Sequence, residues 1–188
     1  MVLAQEEDST HLPTNLELIQ RLSGQVGDTV ATLMNEGDSV RVTVFPGESA
    51  WYVESSILQA VSTKGLNPTG SASAAYDVEL GLENVTVRYT DIRRSGLFGS
   101  KVVDRLVLVR YTAKIVNKRS GVILMTGSIT RSSDDIVEAS GIASLENSRI
   151  PATQGTLPSE GFFSSLVEPL VTMGAIAVAV YLLFQVRS

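Results

Sequence analysis

Apolar residues recur every three or four positions through Leu16, Ile19, Leu22, Val26, Val30 and Leu33, the spacing of one face of an α-helix. Pro13-Thr14 with Glu17 three residues on has the form of a capping box, so a helix should begin there and run to about Asn35, where Gly37 stops it. Gly24 and Gly27 weaken that helix and mark a place where it could break. The period then falls to two: Val40, Val42 and Val44 alternate with Arg41 and Thr43 in a short strand that ends at Phe45-Pro46-Gly47. A second helix is expected from Glu48 or Ser49, with Val53, Ile57, Leu58 and Val61 on one face and a stop at Lys64-Gly65. Asn67 to Ala74 is a loop by composition.

A long extended segment follows. Tyr76, Val78, Leu80 and Leu82 alternate, and Val85, Val87 and Tyr89 continue in the opposite phase, so one inserted residue near Glu83-Asn84 predicts a β-bulge. Val103 to Val116 and Val122 to Ile129 are β-branched runs that should pair as a hairpin turning at Ser120-Gly121. Asp134 to Leu145 fits a short helix, and the composition from Glu146 to Gly161 reads as a linker. The order helix, strand, helix, then three long strands predicts an α/β sandwich of the α+β type, with helices on one face of a mostly antiparallel sheet.

Three of these stretches, Ser39–Pro46 before a helix, Ala75–Val87, and Leu108–Ser128 with its turn at Arg119-Ser120-Gly121 before Val122-Ile123-Leu124, carry a resemblance. They resemble the periplasmic α/β domain of the TolB amino-terminal and curli-secretion lipoprotein type. The resemblance implies a fold and an envelope-assembly setting, and no catalytic or cofactor residues. Those proteins carry a lipidated cysteine or a following propeller domain; this chain has no cysteine, and a carboxyl-terminal membrane helix would take the place of the lipid.

That helix is read from Pro169 through Val186, about 18 residues without a formal charge, long enough to span about 27 Å as a helix. Pro169 suits a first helical turn. Leu170, Ile176, Val180, Leu183 and Phe184 are lipid-compatible all round, Tyr181 and Phe184 sit near the distal end, and Arg187 follows. Gly174 with Ala175, Ala177 and Ala179 offers a small-residue surface on which a second copy could pack. Arg187 beyond the span, against Glu146, Glu160 and Glu168 before it, orients the domain to the periplasmic side of an inner membrane. Val2-Leu3-Ala4 before Gln5-Glu6-Glu7-Asp8 has the look of the end of a signal peptide. The domain reading is a flexible lead over 1–12, a folded domain over 13–145, a linker over 146–161 and an anchor with its short tail over 162–188.

The net charge of −5 removes the positive field that non-specific nucleic-acid binding needs, so nucleic acid is excluded as a partner class. With no cysteine and a single histidine, His11 in the polar lead, neither thiol chemistry nor a common zinc set is available. Gly96 and Gly99 lack the further residues of a phosphate loop. No cofactor, metal or catalytic residue is expected. One surface feature stands out in so acidic a chain: between the long strands, Arg93, Arg94, Lys101 and Arg105 surround Leu97 and Phe98, a candidate docking loop for anionic headgroups or an acidic partner. The expected function is a non-enzymatic, membrane-anchored envelope protein whose domain serves as a scaffold or assembly subunit. Its partners would be the bilayer, other envelope proteins and further copies of itself. The alternative is a cytosol-facing, tail-anchored adaptor.

Overall fold

The computed structural model describes residues 12–95 and 99–156. The amino-terminal lead as far as His11, the Leu97-Phe98 tip of the candidate loop, and the membrane segment Pro169–Val186 lie outside the described residues. Among the described residues no helix is long and apolar enough to cross a membrane.

Thr14 caps α1 (Asn15–Ala31) reciprocally: its Oγ1 accepts from the Glu17 backbone N–H, and the Glu17 carboxylate accepts from the Thr14 N–H at 2.7 Å. Leu18, Ile19, Leu22, Val26 and Val30 form the buried stripe. The helix runs unbroken through Gly24 and Gly27, and Gly27 is there for proximity. A Cβ at that position would stand 2.8 Å from the Ile57 carbonyl and 3.0 Å from Ala60 Cβ, so its absence lets α1 and α2 (Gly47–Thr63) touch backbone to backbone. Gly65, at φ +78°, ends α2 in the left-handed region that favours glycine.

Five strands form one sheet in the order β2-β1-β3-β4-β5, comprising β1 (Ser39–Phe45), β2 (Asn67–Pro68), β3 (Tyr76–Arg94), β4 (Lys101–Asn117) and β5 (Ile123–Glu138). β1 is parallel to both β2 and β3, whereas β3, β4 and β5 are antiparallel. The sheet is therefore mixed, because α2 carries the chain from β1 back to the end of the sheet where β1 began, and β2 and then β3 start there, on either side of β1 and parallel to it. The expected bulge falls between Leu82 and Asn84. Past it the inward set switches from Tyr76, Val78 and Leu80 to Val87 and Tyr89. Along β4 every second residue from Val103 to Ile115 is buried, and the two long helices cover that face. The other face carries the ion pairs Arg41–Asp77 and Glu79–Lys114 between neighbouring strands. The β4–β5 turn is held by Asn117, whose Oδ1 accepts from the Arg119 and Ser120 N–H groups, with Gly121 at φ +73°.

Two expectations fail downstream. Asp134 to Glu138 continues β5, and helical structure is confined to a 3₁₀ turn at Ala139–Gly141 and the single turn α3 (Ile142–Leu145). The inferred linker is folded as far as Thr156: Ile150 and Thr153 are buried, Pro151–Thr153 forms a 3₁₀ turn, and Thr156 bridges to Arg88 of β3. Its polar composition is spent on internal bonds, the Thr153 hydroxyl bonding Asn147 and Ile150 and the Glu146 carboxylate accepting from the Gly155 N–H at 2.8 Å.

Candidate functional site

The candidate docking loop divides when the chain folds. Arg94 and Lys101 are cross-strand neighbours at the end of the β3–β4 hairpin, with Arg93 opposite Val102. The Arg93 guanidinium holds both oxygens of Asp104, at 2.7 and 2.6 Å, and keeps that carboxyl below the ordinary carboxylate range. An irregularity between Thr90 and Arg93, with Asp91 at φ +54°, turns Arg93 toward Asp104. Glu138 of β5 also reaches this end, accepting from the Ser100 hydroxyl at 2.9 Å. Asp91, Asp104 and Glu138 thus offset much of the positive charge legible in the sequence.

Arg105 belongs elsewhere, and its assignment to the surface loop is corrected here. It lies on the inward face of β4 opposite Tyr89 and is fully buried. Nε and Nη2 donate to the two oxygens of Asp135 on β5, while Nη1 donates to the Pro13 carbonyl at 2.8 Å and to Asn15 Oδ1 at 2.9 Å. The Asn15 amide in turn donates to the Tyr89 hydroxyl at 2.7 Å and to the Thr153 carbonyl at 2.8 Å. Burial raises the Tyr89 pKa, with the Glu146 carboxylate beside the hydroxyl adding to the rise. One connected cluster therefore ties the start of α1, strands β3, β4 and β5, and the folded segment 146–156.

A buried cation is tolerated only where its donors are matched, and among the described residues no buried side-chain nitrogen or oxygen lacks a partner. Chemically the cluster is closed: its donors and acceptors are engaged with one another. Its role is positional, fixing both ends of the described chain to one end of the sheet. Sequence reasoning missed Asn15, Tyr89, Asp135 and Thr153 as a set. The available signal was an arginine in phase with the apolar positions of a strand, two residues from Val103 and two from Val107.

A second buried polar pair lies deeper. Ser23 spends its one hydroxyl hydrogen on the Ile19 carbonyl at 2.8 Å, so the Tyr111 hydroxyl donates to Ser23 Oγ at 2.8 Å. Burial pushes the Tyr111 pKa up to about 12. On the open face, the hydrogen bond from Arg41 lowers the Asp77 pKa. Among the described residues no three His, Cys, Asp or Glu side chains are placed to hold a metal ion. The surface has shallow depressions, one of about 380 Å³ between α1 and α2 beside Gly24 and another of about 280 Å³ where Ser39 meets Lys118 and Arg119.

No family model matches the chain, and no curated protein matches it. Among solved structures, the chain is similar to a minor lipoprotein from Acinetobacter baumannii at 12% identity, over 54% of this chain and 66% of that one, with a TM-score of 0.35. It is similar to lipoprotein GNA1162 from Neisseria meningitidis at 13% identity, over 73% of this chain and 98% of that one, TM-score 0.34. A neuraminyllactose-binding hemagglutinin homolog from Helicobacter pylori is similar at 14% identity, over 64% and 80%, TM-score 0.35. None of the three is TolB or a curli-secretion protein, and likenesses of this size decide nothing about what this chain does.

Proposed function

We propose that this chain is a membrane-tethered envelope protein whose α/β domain acts as a non-enzymatic scaffold or assembly subunit on the periplasmic side of an inner membrane. The observation that carries the proposal is the uncharged run Pro169–Val186, which is more stable in hydrocarbon than in water. The fold supports it by making the tether short. Since the chain is folded as far as Thr156, the stretch 157–168 is all that separates the domain from Pro169, and fully extended it reaches about 40 Å at most. Confinement within that radius raises the effective concentration of the domain for membrane-proximal partners.

The test is proteolysis of cells expressing the full chain, with trypsin added to intact cells, to cells with a permeabilised outer membrane, and to lysed cells. A periplasmic domain is cut on permeabilisation. Protection until the inner membrane is lysed would overturn the placement and leave the cytosol-facing adaptor.

A further inference from the structure

Among the described residues the tyrosines Tyr52, Tyr76, Tyr89 and Tyr111 are buried, whereas Phe45 is 51% exposed and Trp51 63%. Tryptophan is highly buried on average, and the only one in this chain is not. Both aromatics come from the connection between β1 and α2. Val44 faces the core opposite Leu80, which turns Phe45 to the other face of the sheet, where its partner on β3 is Gly81, with no side chain to cover it. On α2, Ala50, Tyr52 and Val53 are buried and Trp51 stands on the outer side, with Pro46 exposed between the two elements. From Val42 to Val53 the sequence has one charged residue, Glu48.

The connection lies on the flank of the sheet from which the chain leaves the folded domain. β4 lines one side of β3; on the other side β1 ends with Phe45 opposite Gly81, and Thr156 bridges Arg88, both parallel to β3. The two positions are about 23 Å apart along the strand. Between them the inward residues Leu82 and Val85 are only half-buried, while Val78 and Leu80 before them and Val87 and Tyr89 after them are buried. Apolar surface therefore extends along this flank from Phe45 toward the exit. The stretch 157–168 reaches about 40 Å at most, further than the separation of Phe45 from Thr156, so the tether lets the flank lie against the bilayer that holds Pro169.

We propose that Phe45 and Trp51 are a second membrane contact, seated at the boundary between headgroups and acyl chains of the bilayer in which the chain is anchored. Tryptophan suits that boundary because its ring is apolar and its indole N–H can bond to headgroups or water. The contact rests on the membrane-tether reading and deepens it, since it gives the confined domain a fixed side toward the lipid. With a lone carboxylate in the connection, its driving force is apolar burial, so it should form on neutral lipid and survive high salt.

Trp51 is itself the probe. The full chain is reconstituted into phosphatidylcholine vesicles in high salt, recovered by flotation, and its emission compared with vesicles whose acyl chains are brominated next to the headgroup. Trp51 should emit to the blue of a water-exposed indole and lose intensity in the brominated vesicles. Phe45→Ser should return the emission toward the red and reduce the quenching. Trp51→Phe combined with Leu33→Trp puts the probe at an exposed site just before β1 starts, the other end of that strand, and should show neither effect. A chain that floats while Trp51 emits as in water overturns the contact and leaves the tether standing. A blue shift without quenching by brominated lipid means that protein, such as a second copy, covers Trp51, and it too overturns the proposal, as does equal quenching at both probe sites. A chain that does not float overturns the tether and this contact with it.

Discussion

Replacing Arg105 by methionine isolates what the buried cluster contributes. Methionine refills most of the volume of the arginine stem, so the cost is chiefly polar. The Asn15 side chain is fully buried and its Oδ1 loses its donor, as does the Pro13 carbonyl; an orphaned buried acceptor costs about 1–3 kcal/mol. Asp135 also loses its partner, but its side chain is 30% exposed and water can take the place of the guanidinium, so its share is discounted. The expected loss for Arg105→Met is about 3–4 kcal/mol, toward the low end for a broken buried pair. Asp135→Leu should cost at least as much, about 4–5 kcal/mol, because it strands a cation with no exposure at all. The double variant should cost less than the two singles summed, retaining about 1–3 kcal/mol for the orphaned Asn15. Urea unfolding of the full chain in detergent, followed by far-ultraviolet circular dichroism, measures all three. The cluster also holds segment 146–156 through Thr153 and Tyr89, so trypsin should cut after the exposed Arg149 faster in Arg105→Met than in the wild type. A loss below about 1 kcal/mol for Arg105→Met, or additivity of the two single changes, would refute the reasoning.

Two glycines on one helix should respond in opposite directions to alanine. At Gly24 the nearest atom to a new Cβ is the Ser56 carbonyl at 3.6 Å, an ordinary contact, so Gly24→Ala should raise stability by up to about 1 kcal/mol through helix propensity; at Gly27 the 2.8 Å approach to the Ile57 carbonyl should make Gly27→Ala a net loss of about 1–2 kcal/mol, both read as shifts in melting temperature. Tyr111 is protonated in the fold to a higher pH than in the unfolded chain. Its stabilisation is therefore complete below pH 10 and is lost as pH rises from 10 toward about 12. The difference in unfolding free energy between wild type and Tyr111→Phe should shrink across that window; a difference that stays constant would show that the hydroxyl titrates normally. Asp77, held below the usual carboxylate range by its bond to Arg41, works at the other limb. Its contribution is present above the unfolded pKa and lost as pH falls through the lower folded value, so Asp77→Asn should flatten acid unfolding below about pH 4.

The strands and helices that face the core were legible because their apolar residues keep a period. The phase change between Leu82 and Val85 marks the bulge in the sequence itself, and Thr14 with Glu17 marks the start of α1. Reading failed where burial is polar. From Arg131 to Asp135 the inward positions of β5 are Arg, Ser and Asp, because an edge strand is only half covered, and alternation between two kinds of polar residue leaves no hydrophobic signal. Arg105 was misplaced for a related reason: its partner sits thirty residues on, and only pairing of β4 with β5 brings the two charges together. Glu146–Thr156 has the composition of a linker, yet Thr153, Asn147 and Glu146 satisfy one another in a way that depends on fold and leaves no periodic trace. In the mixed sheet, the parallel start of β3 beside β1 is likewise a matter of connection, since alternation does not record strand direction.

Sedimentation tests the central claim most directly. Membranes from cells expressing the full chain are washed with alkaline carbonate and ultracentrifuged without detergent, beside a chain ending at Thr156. The full chain should stay in the pellet, and the shortened one should move to the supernatant with its β-sheet circular dichroism intact. Full-length protein in the supernatant would contradict the tether and every role built on it.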